Sequence, residues 1–317
     1  MKRIAIAAGA LALLTLPAAA EDSFKVAIGQ INNWENQAPT LGQDAGIFKK
    51  HGIVLDNFGT AGAGETMQPI ISASADIGAG VGVAGVMRAF SKGAPVRIIS
   101  PAFTGTGDLY WYVKGDSPIK SLKDLTAQNT IAYSTSGSSS NNIVVAFVNE
   151  LGAKAKPTAT GSPPGTLTAV MSGQIDVGWA APPFGLREIQ EGKIRIIARG
   201  SDVPSLRGQT VRVLIANANM LAQRKEAVAR FMAAYREAVD WMYANPEAVA
   251  MFSKKTGVAE DLVRKSMQEF QPKDSLQTDQ LADLDGAVRD AVKLKFLDAP
   301  LTKEQLAELI QIPPRAK

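Results

Sequence analysis

The stretch Thr130-Ile131-Ala132-Tyr133-Ser134-Thr135-Ser136-Gly137-Ser138-Ser139-Ser140-Asn141-Asn142-Ile143-Val144 decides the fold class. Its first four residues are β-branched, aromatic or small and read as a strand, and a serine-rich turn follows at once. Ile143, Val144, Phe147, Val148 and Leu151 then recur at helical spacing. Strand, polar turn and helix in direct succession make a βα unit. Further strands are expected at 24–28, 53–58, 96–100, 110–114, 175–179, 194–198 and 211–216, with helical patterns between them, so the chain belongs to the α/β class with a parallel sheet.

From Lys225 onward the pattern is helical alone. Ala227, Val228, Phe231, Met232, Tyr235, Val239 and Met242 recur three and four apart, and Pro246, Pro272 and Pro300 punctuate the tail. A second amphipathic helix is expected over 279–297, with Leu281, Leu284, Val288, Ala291 and Val292 on one face. Such stripes are what any packed helix shows, and they are read as core.

The chain opens on Met1, Lys2 and Arg3, an apolar run over 4–16, and Pro17-Ala18-Ala19-Ala20 before the polar Glu21. Charge, short apolar core and small residues in that order form a secretory signal peptide cleaved before Glu21, which places the protein in the periplasm. The run is too short for the ~20 residues of a membrane-spanning helix. Cysteine is absent, which excludes disulfides, thiolate chemistry and a lipid-bearing cysteine. The formal net charge of +4 falls to +2 without Lys2 and Arg3, and no basic run stands out, so neither nucleic acid nor a membrane surface is indicated as partner. A monomer is expected.

Two stretches rich in turn residues, 101–108 and 200–208, read as crossovers between lobes. They divide the chain into a signal peptide (1–20), a first lobe (21–107 with 204–317) and a second lobe (108–203), with a ligand cleft between the lobes.

Several loops carry ligand-binding chemistry. The serine-rich turn offers hydroxyls, free N–H groups and the positive end of a helix dipole through Ser136, Gly137, Ser138 and Ser139; a simple helix cap is its bland alternative. After the first expected strand, Gln30, Asn32 and Trp34 combine amides that donate and accept with an aromatic wall. Trp179 and Pro182 hold the equivalent position after another strand, and packing alone is the competing use of both tryptophans. Thr104, Gly105 and Thr106 lie at the first crossover, beside Asp108. Gly80, Val81 and Gly82 begin a G-x-G-x-x-G match ending at Gly85, but the preceding strand is very short and an exported chain leaves the dinucleotide pool, so close approach of a polar ligand to backbone N–H groups is the better use. Gly62-Ala63-Gly64 is a weaker turn of the same kind.

Catalysis finds little support. The lone histidine, His51, sits at the basic end of a helix before Gly52; hydrolase and zinc-protease motifs are missing, and the carboxylates at 237 and 240, or 260 and 261, read as solvated helix faces. No catalytic residue, metal or cofactor is assigned.

Four segments occur in a recognisable order: Asp44-Ala45-Gly46-Ile47-Phe48-Lys49-Lys50-His51-Gly52-Ile53, Ser74-Ala75-Asp76-Ile77-Gly78, Lys120-Ser121-Leu122-Lys123-Asp124-Leu125 and Met171-Ser172-Gly173-Gln174-Ile175-Asp176. Together they resemble the periplasmic solute-binding proteins of the sulfonate, taurine, nitrate and thiamine-pyrimidine-precursor group over nearly the whole mature chain. The resemblance implies a type II periplasmic-binding-protein fold, a two-lobed clamp, a small-molecule ligand, and an ABC permease with its ATPase as partner. It also places ligand contacts in the loops already named. Since those loops show no Arg or Lys, a sulfonate- or carboxylate-like monoanion held by N–H groups and hydroxyls is expected, with Arg88 or Arg187 as the basic residues able to reach in. A receptor-linked sensor subunit and an exported enzyme are the alternatives.

Overall fold

A computed structural model describes residues 21–315. The reading of 1–20 as a signal peptide lies outside the described residues. Ten strands are described: β1 (Asp22–Gly29), β2 (Ile53–Thr60), β3 (Ile77–Gly82), β4 (Val96–Thr104), β5 (Tyr110–Lys114), β6 (Thr130–Tyr133), β7 (Lys156–Ala159), β8 (Gly178–Ala180), β9 (Ile194–Arg199) and β10 (Thr210–Asn217). They form a five-stranded sheet of order β2-β1-β3-β10-β4, a three-stranded sheet β8-β5-β9, and the pair β6-β7.

The class is α/β, but the expectation of a parallel sheet needs correction. β1 runs parallel to β2 and β3, and β6 to β7, whereas β10 lies antiparallel between β3 and β4 and β5 is antiparallel to both its neighbours. Strand and helix patterns carry no strand direction: β10 enters the five-stranded sheet from β9 of the three-stranded sheet through the short 3-10 turns Gly200–Asp202 and Pro204–Leu206, not through a helical crossover from a strand of its own sheet. The very short strand expected at 75–78 is β3, which runs on to Gly82 through glycines that hide its extent, and expectation missed β7, an exposed edge strand that tolerates Pro157. The strand expected at 175–179 begins only at Gly178; Val177 makes an isolated bridge to Ile131.

The helical tail packs where its apolar stripe predicts. Helix Lys225–Ala244 buries Phe231 against Phe24 and Phe48, with ring centroids 5.7 and 5.5 Å apart, beneath β1 and β2. The helix expected over 279–297 is shorter, Leu284–Lys293, because Asp283 caps it by accepting from the Gly286 N–H at 3.0 Å. Val288 and Ala291 of that helix join the core that also holds Ile98 and Val86.

The chain passes between the five-stranded and three-stranded sheets after β4 and again before β10. The two connections are tied together: Gly105 N–H donates to the Gln209 carbonyl at 2.8 Å and Gly200 N–H to the Leu109 carbonyl at 2.8 Å.

Candidate functional site

The turns that leave β1, β2 and β6 converge with β3, β8 and β10 on one cavity of about 30 Å³, room for a few water molecules. The position, beyond the carboxyl ends of parallel strands, is where ligands bind in open α/β sheets.

One wall is rich in donors. Helix Ser139–Asn149 starts here, and its cap Ser138 accepts from the Asn141 N–H at 3.0 Å through the side chain and from the Asn142 N–H at 3.0 Å through the carbonyl. The first-turn N–H groups of Ser139 and Ser140 have no acceptor among the described residues, so they and the helix dipole favour an anionic oxygen. Ser134, Ser138 and Ser140 link their hydroxyls at 3.0–3.1 Å behind them. Helix Ala63–Ile71 brings a second N-terminus to the cavity through Gly62 and Ala63. Trp179 completes the wall, with a buried Nε1–H that has no partner among the described residues.

The other wall is charged. Arg212, on β10, donates through Nη2 to Glu35 Oε2 at 2.6 Å and to Asp108 Oδ2 at 2.5 Å, and through Nη1 to Ser139 Oγ at 3.1 Å. Its guanidinium lies 4.5 Å from the Phe103 ring centroid. All three charged side chains are buried, with Asp108 fully so. Burial raises the Glu35 carboxyl above its usual range despite Arg212 beside it. Burial likewise pushes Asp108 up to about 7, with Arg212 opposing the rise and Glu35 adding to it. The two carboxylates hold the guanidinium charged, above its ordinary value, against desolvation.

The segments on the two sides of the cavity also touch one another directly. A Cβ on Gly85 would lie 2.3 Å from the Gly137 carbonyl oxygen, and one on Gly82 2.5 Å from it, so the G-x-G-x-x-G segment meets the serine-rich turn backbone to backbone. Gly64 N–H donates to Thr135 Oγ1 at 3.0 Å. From the tail, Gln271 Nε2 donates both to Asn33 Oδ1 at 2.7 Å and to the Pro182 carbonyl at 2.9 Å, stitching the turn after β1 to the turn after β8.

Of the residues singled out in the sequence, Gln30, Gly80, Ser138, Ser139 and Trp179 line the cavity. Asn32 lines a separate surface groove with Gln37 and Thr40. Trp34 is core, edge-on to Tyr243 and Phe252. Val81 is core as well, while Gly82, Ser136 and Gly137 form the contact between the two sides of the cleft. Thr104 and Gly105 belong to the tied connections, with Thr104 Oγ1 3.3 Å from Thr210 Oγ1; Thr106 is buried beside them and Pro182 contributes its carbonyl. Neither Arg88 nor Arg187 lines the cavity; the basic residue there is Arg212. A signal for it was present: β10 is buried along its whole length, and an arginine in such a strand has to be paired.

The family model described as NMT1/THI5 like matches residues 16–249. The chain belongs to this family. No curated protein matches the sequence of this NMT1/THI5-like chain. Among solved structures it resembles the alkanesulfonate-binding protein SsuA from Xanthomonas axonopodis pv. citri bound to MOPS, with TM-score 0.76 and 14% identity over 93% of this chain and 100% of that one. It also resembles the periplasmic nitrate-binding protein NrtA from Synechocystis PCC 6803, with TM-score 0.67 and 15% identity over 91% and 85%. The desulfurization enzyme DSZB shares the fold too, with TM-score 0.62 and 17% identity over 90% and 96%. The NMT1/THI5-like chain thus has the periplasmic-binding-protein fold, which serves both binding proteins and an enzyme.

Proposed function

We propose that this protein is the periplasmic solute-binding component of an ABC importer, released by cleavage of residues 1–20, that captures a small polar solute with an acidic end. Residues 21–107 with 204–317 act as one lobe and 108–203 as the other, hinged at the two tied connections. The observation that carries this reading is the cavity itself. It is enclosed from both sides, by Gly62, Ala63 and Gly80 on one and by Ser138, Ser139 and Trp179 on the other, so a solute held there stabilises the closed form through contacts the open form lacks.

The acidic end, sulfonate- or carboxylate-like, sits at the N-termini of helices Ala63–Ile71 and Ser139–Asn149, where unspent N–H groups and hydroxyls meet it. No residue is assigned to chemistry: Glu35 and Asp108, the carboxylates of the site, are both engaged with Arg212. The closed form, with its ligand, is the species handed to the permease and its ATPase.

A thermal-shift screen of residues 21–317 against sulfonates, carboxylates, nitrate and pyrimidines tests the reading, because a ligand that binds only the folded state raises its melting temperature. A selective rise with one class of acids supports capture. Turnover of a substrate without any such rise sinks it.

A further inference from the structure

Resting on the capture reading, we infer that Gln271 is a positioning residue for lobe closure: its side-chain amide and the neighbouring Phe270 ring form a third, non-covalent tie between the lobes, which holds a share of the ligand-free protein closed before any solute arrives. Two independent observations carry this, one of hydrogen-bond sense and one of packing.

Gln271 follows helix Glu260–Glu269 and is anchored in the helical tail. Its N–H donates to the Ser266 carbonyl at 3.0 Å, and its own carbonyl accepts from the Tyr243 hydroxyl at 2.6 Å. The side chain is fully buried, and Nε2 donates to Asn33 Oδ1 at 2.7 Å and to the Pro182 carbonyl at 2.9 Å. A carbonyl can only accept, so the nitrogen of the amide has to face Pro182. Asn33 lies in the turn after β1 and Pro182 in the turn after β8. In the proposed division one bond therefore stays within the first lobe and the other crosses to the second. The remaining amide atom, Oε1, is buried without a partner among the described residues. An apolar side chain of the same length would avoid that cost, so shape alone does not account for an amide here; the two-sided bond does.

Packing points the same way. The buried Phe270 ring lies against Tyr110 of β5, with centroids 6.3 Å apart, and 4.8 Å from the guanidinium of Arg199 at the end of β9. Both strands belong to the three-stranded sheet. The tail thus grips the second lobe at points outside the two tied connections. As the lobes separate, the Pro182 bond and both ring contacts break, while the bonds to Ser266 and Tyr243 keep the tail on the first lobe. The tie therefore stabilises the closed state alone. Without the amide, the Pro182 carbonyl lacks this donor in the closed form, whereas water reaches it in the open one.

The chain has no cysteine, so Lys49→Cys and Gln128→Cys, both at exposed positions, place one spin label on each proposed lobe of the mature protein. Double electron–electron resonance without ligand then reads the distances between the lobes. A population at the separation of this structure is expected beside a wider one. Gln271→Met keeps the length of the side chain and removes its donors, and is expected to lower the ratio of the first population to the second at least about fivefold, the scale of one buried hydrogen bond. Phe270→Leu leaves the amide in place and is expected to lower the same ratio, which decides the matter even if Gln271→Met fails to fold. A fall in the urea midpoint with the distances unchanged makes these residues structural only and overturns the inference. A labelled protein with no population at the separation of this structure overturns it as well. Either failure leaves capture standing, because the thermal-shift response to solutes is read separately; absence of that response with the latch intact overturns capture alone.

Discussion

The two walls of the cavity are built in opposite ways. Most of the donor wall comes from contiguous sequence: seven residues, Ser134 to Ser140, supply its hydroxyls, its cap and the free N–H groups of one helix start, with Gly62, Ala63 and Trp179 added from elsewhere. The charged wall is assembled from positions 35, 108 and 212, the last on a strand that returns after the whole second sheet has been made. That stretch exists as soon as its helix does, whereas the charged wall exists only when the complete chain has folded. Loss of a donor-wall residue is thus a local event, and loss of a charged-wall residue is global.

The largest test of that contrast is Arg212→Leu. It strands two buried carboxylates and is expected to cost about 3–5 kcal/mol in urea unfolding. A loss below about 1 kcal/mol would mean that the charged wall does not depend on its centre.

Next comes pH. The folded protein keeps the Asp108 proton up to about pH 7, while an ordinary aspartate releases it near 3.8. Between those values the folded state binds more protons than the unfolded chain, so the contribution of this group falls as pH rises through the window, by at most ~1.4 kcal/mol per pH unit. Asp108→Asn is expected to flatten the wild-type dependence of stability between pH 4 and 7, measured as the difference between the two proteins. An unchanged profile would place the titration elsewhere.

Gly85→Ala probes the meeting of the walls. A methyl 2.3 Å from the Gly137 carbonyl holds the cleft apart, and ligand affinity is expected to fall at least about tenfold with little change in unfolding free energy. Equal losses in both would make this contact part of the folding core. The smallest effect is expected at the donor wall: Ser138→Ala removes one helix cap and costs about 1 kcal/mol by thermal unfolding, with the unfolding slope unchanged.

The same contrast sets how much was legible in the sequence. Turn chemistry and strand–helix alternation are local, and they led to the α/β class, most strands, and Gln30, Gly80, Ser138, Ser139 and Trp179 at the cavity. Arg212 was missed because it lies within a strand rather than a loop, and its partners are 177 and 104 residues away in the chain. Trp34 was over-read: an aromatic beside polar amides has the same sequence signature whether it faces a solute or, as here, Tyr243 and Phe252. The antiparallel run of β10 was hidden because strand patterns carry no direction.

The contact between Gly82, Gly85 and Gly137 has no side chain on either face. A jaw that shuts on side chains can be drawn tighter as rotamers shift, but one that shuts on main chain has a rigid stop. Under the proposed capture by closure, the closing angle has a fixed limit, and a solute too small to span the gap at that limit gains nothing from further closure. Specificity acquires a lower bound on size, set by two stretches of bare backbone and independent of any group that touches the solute.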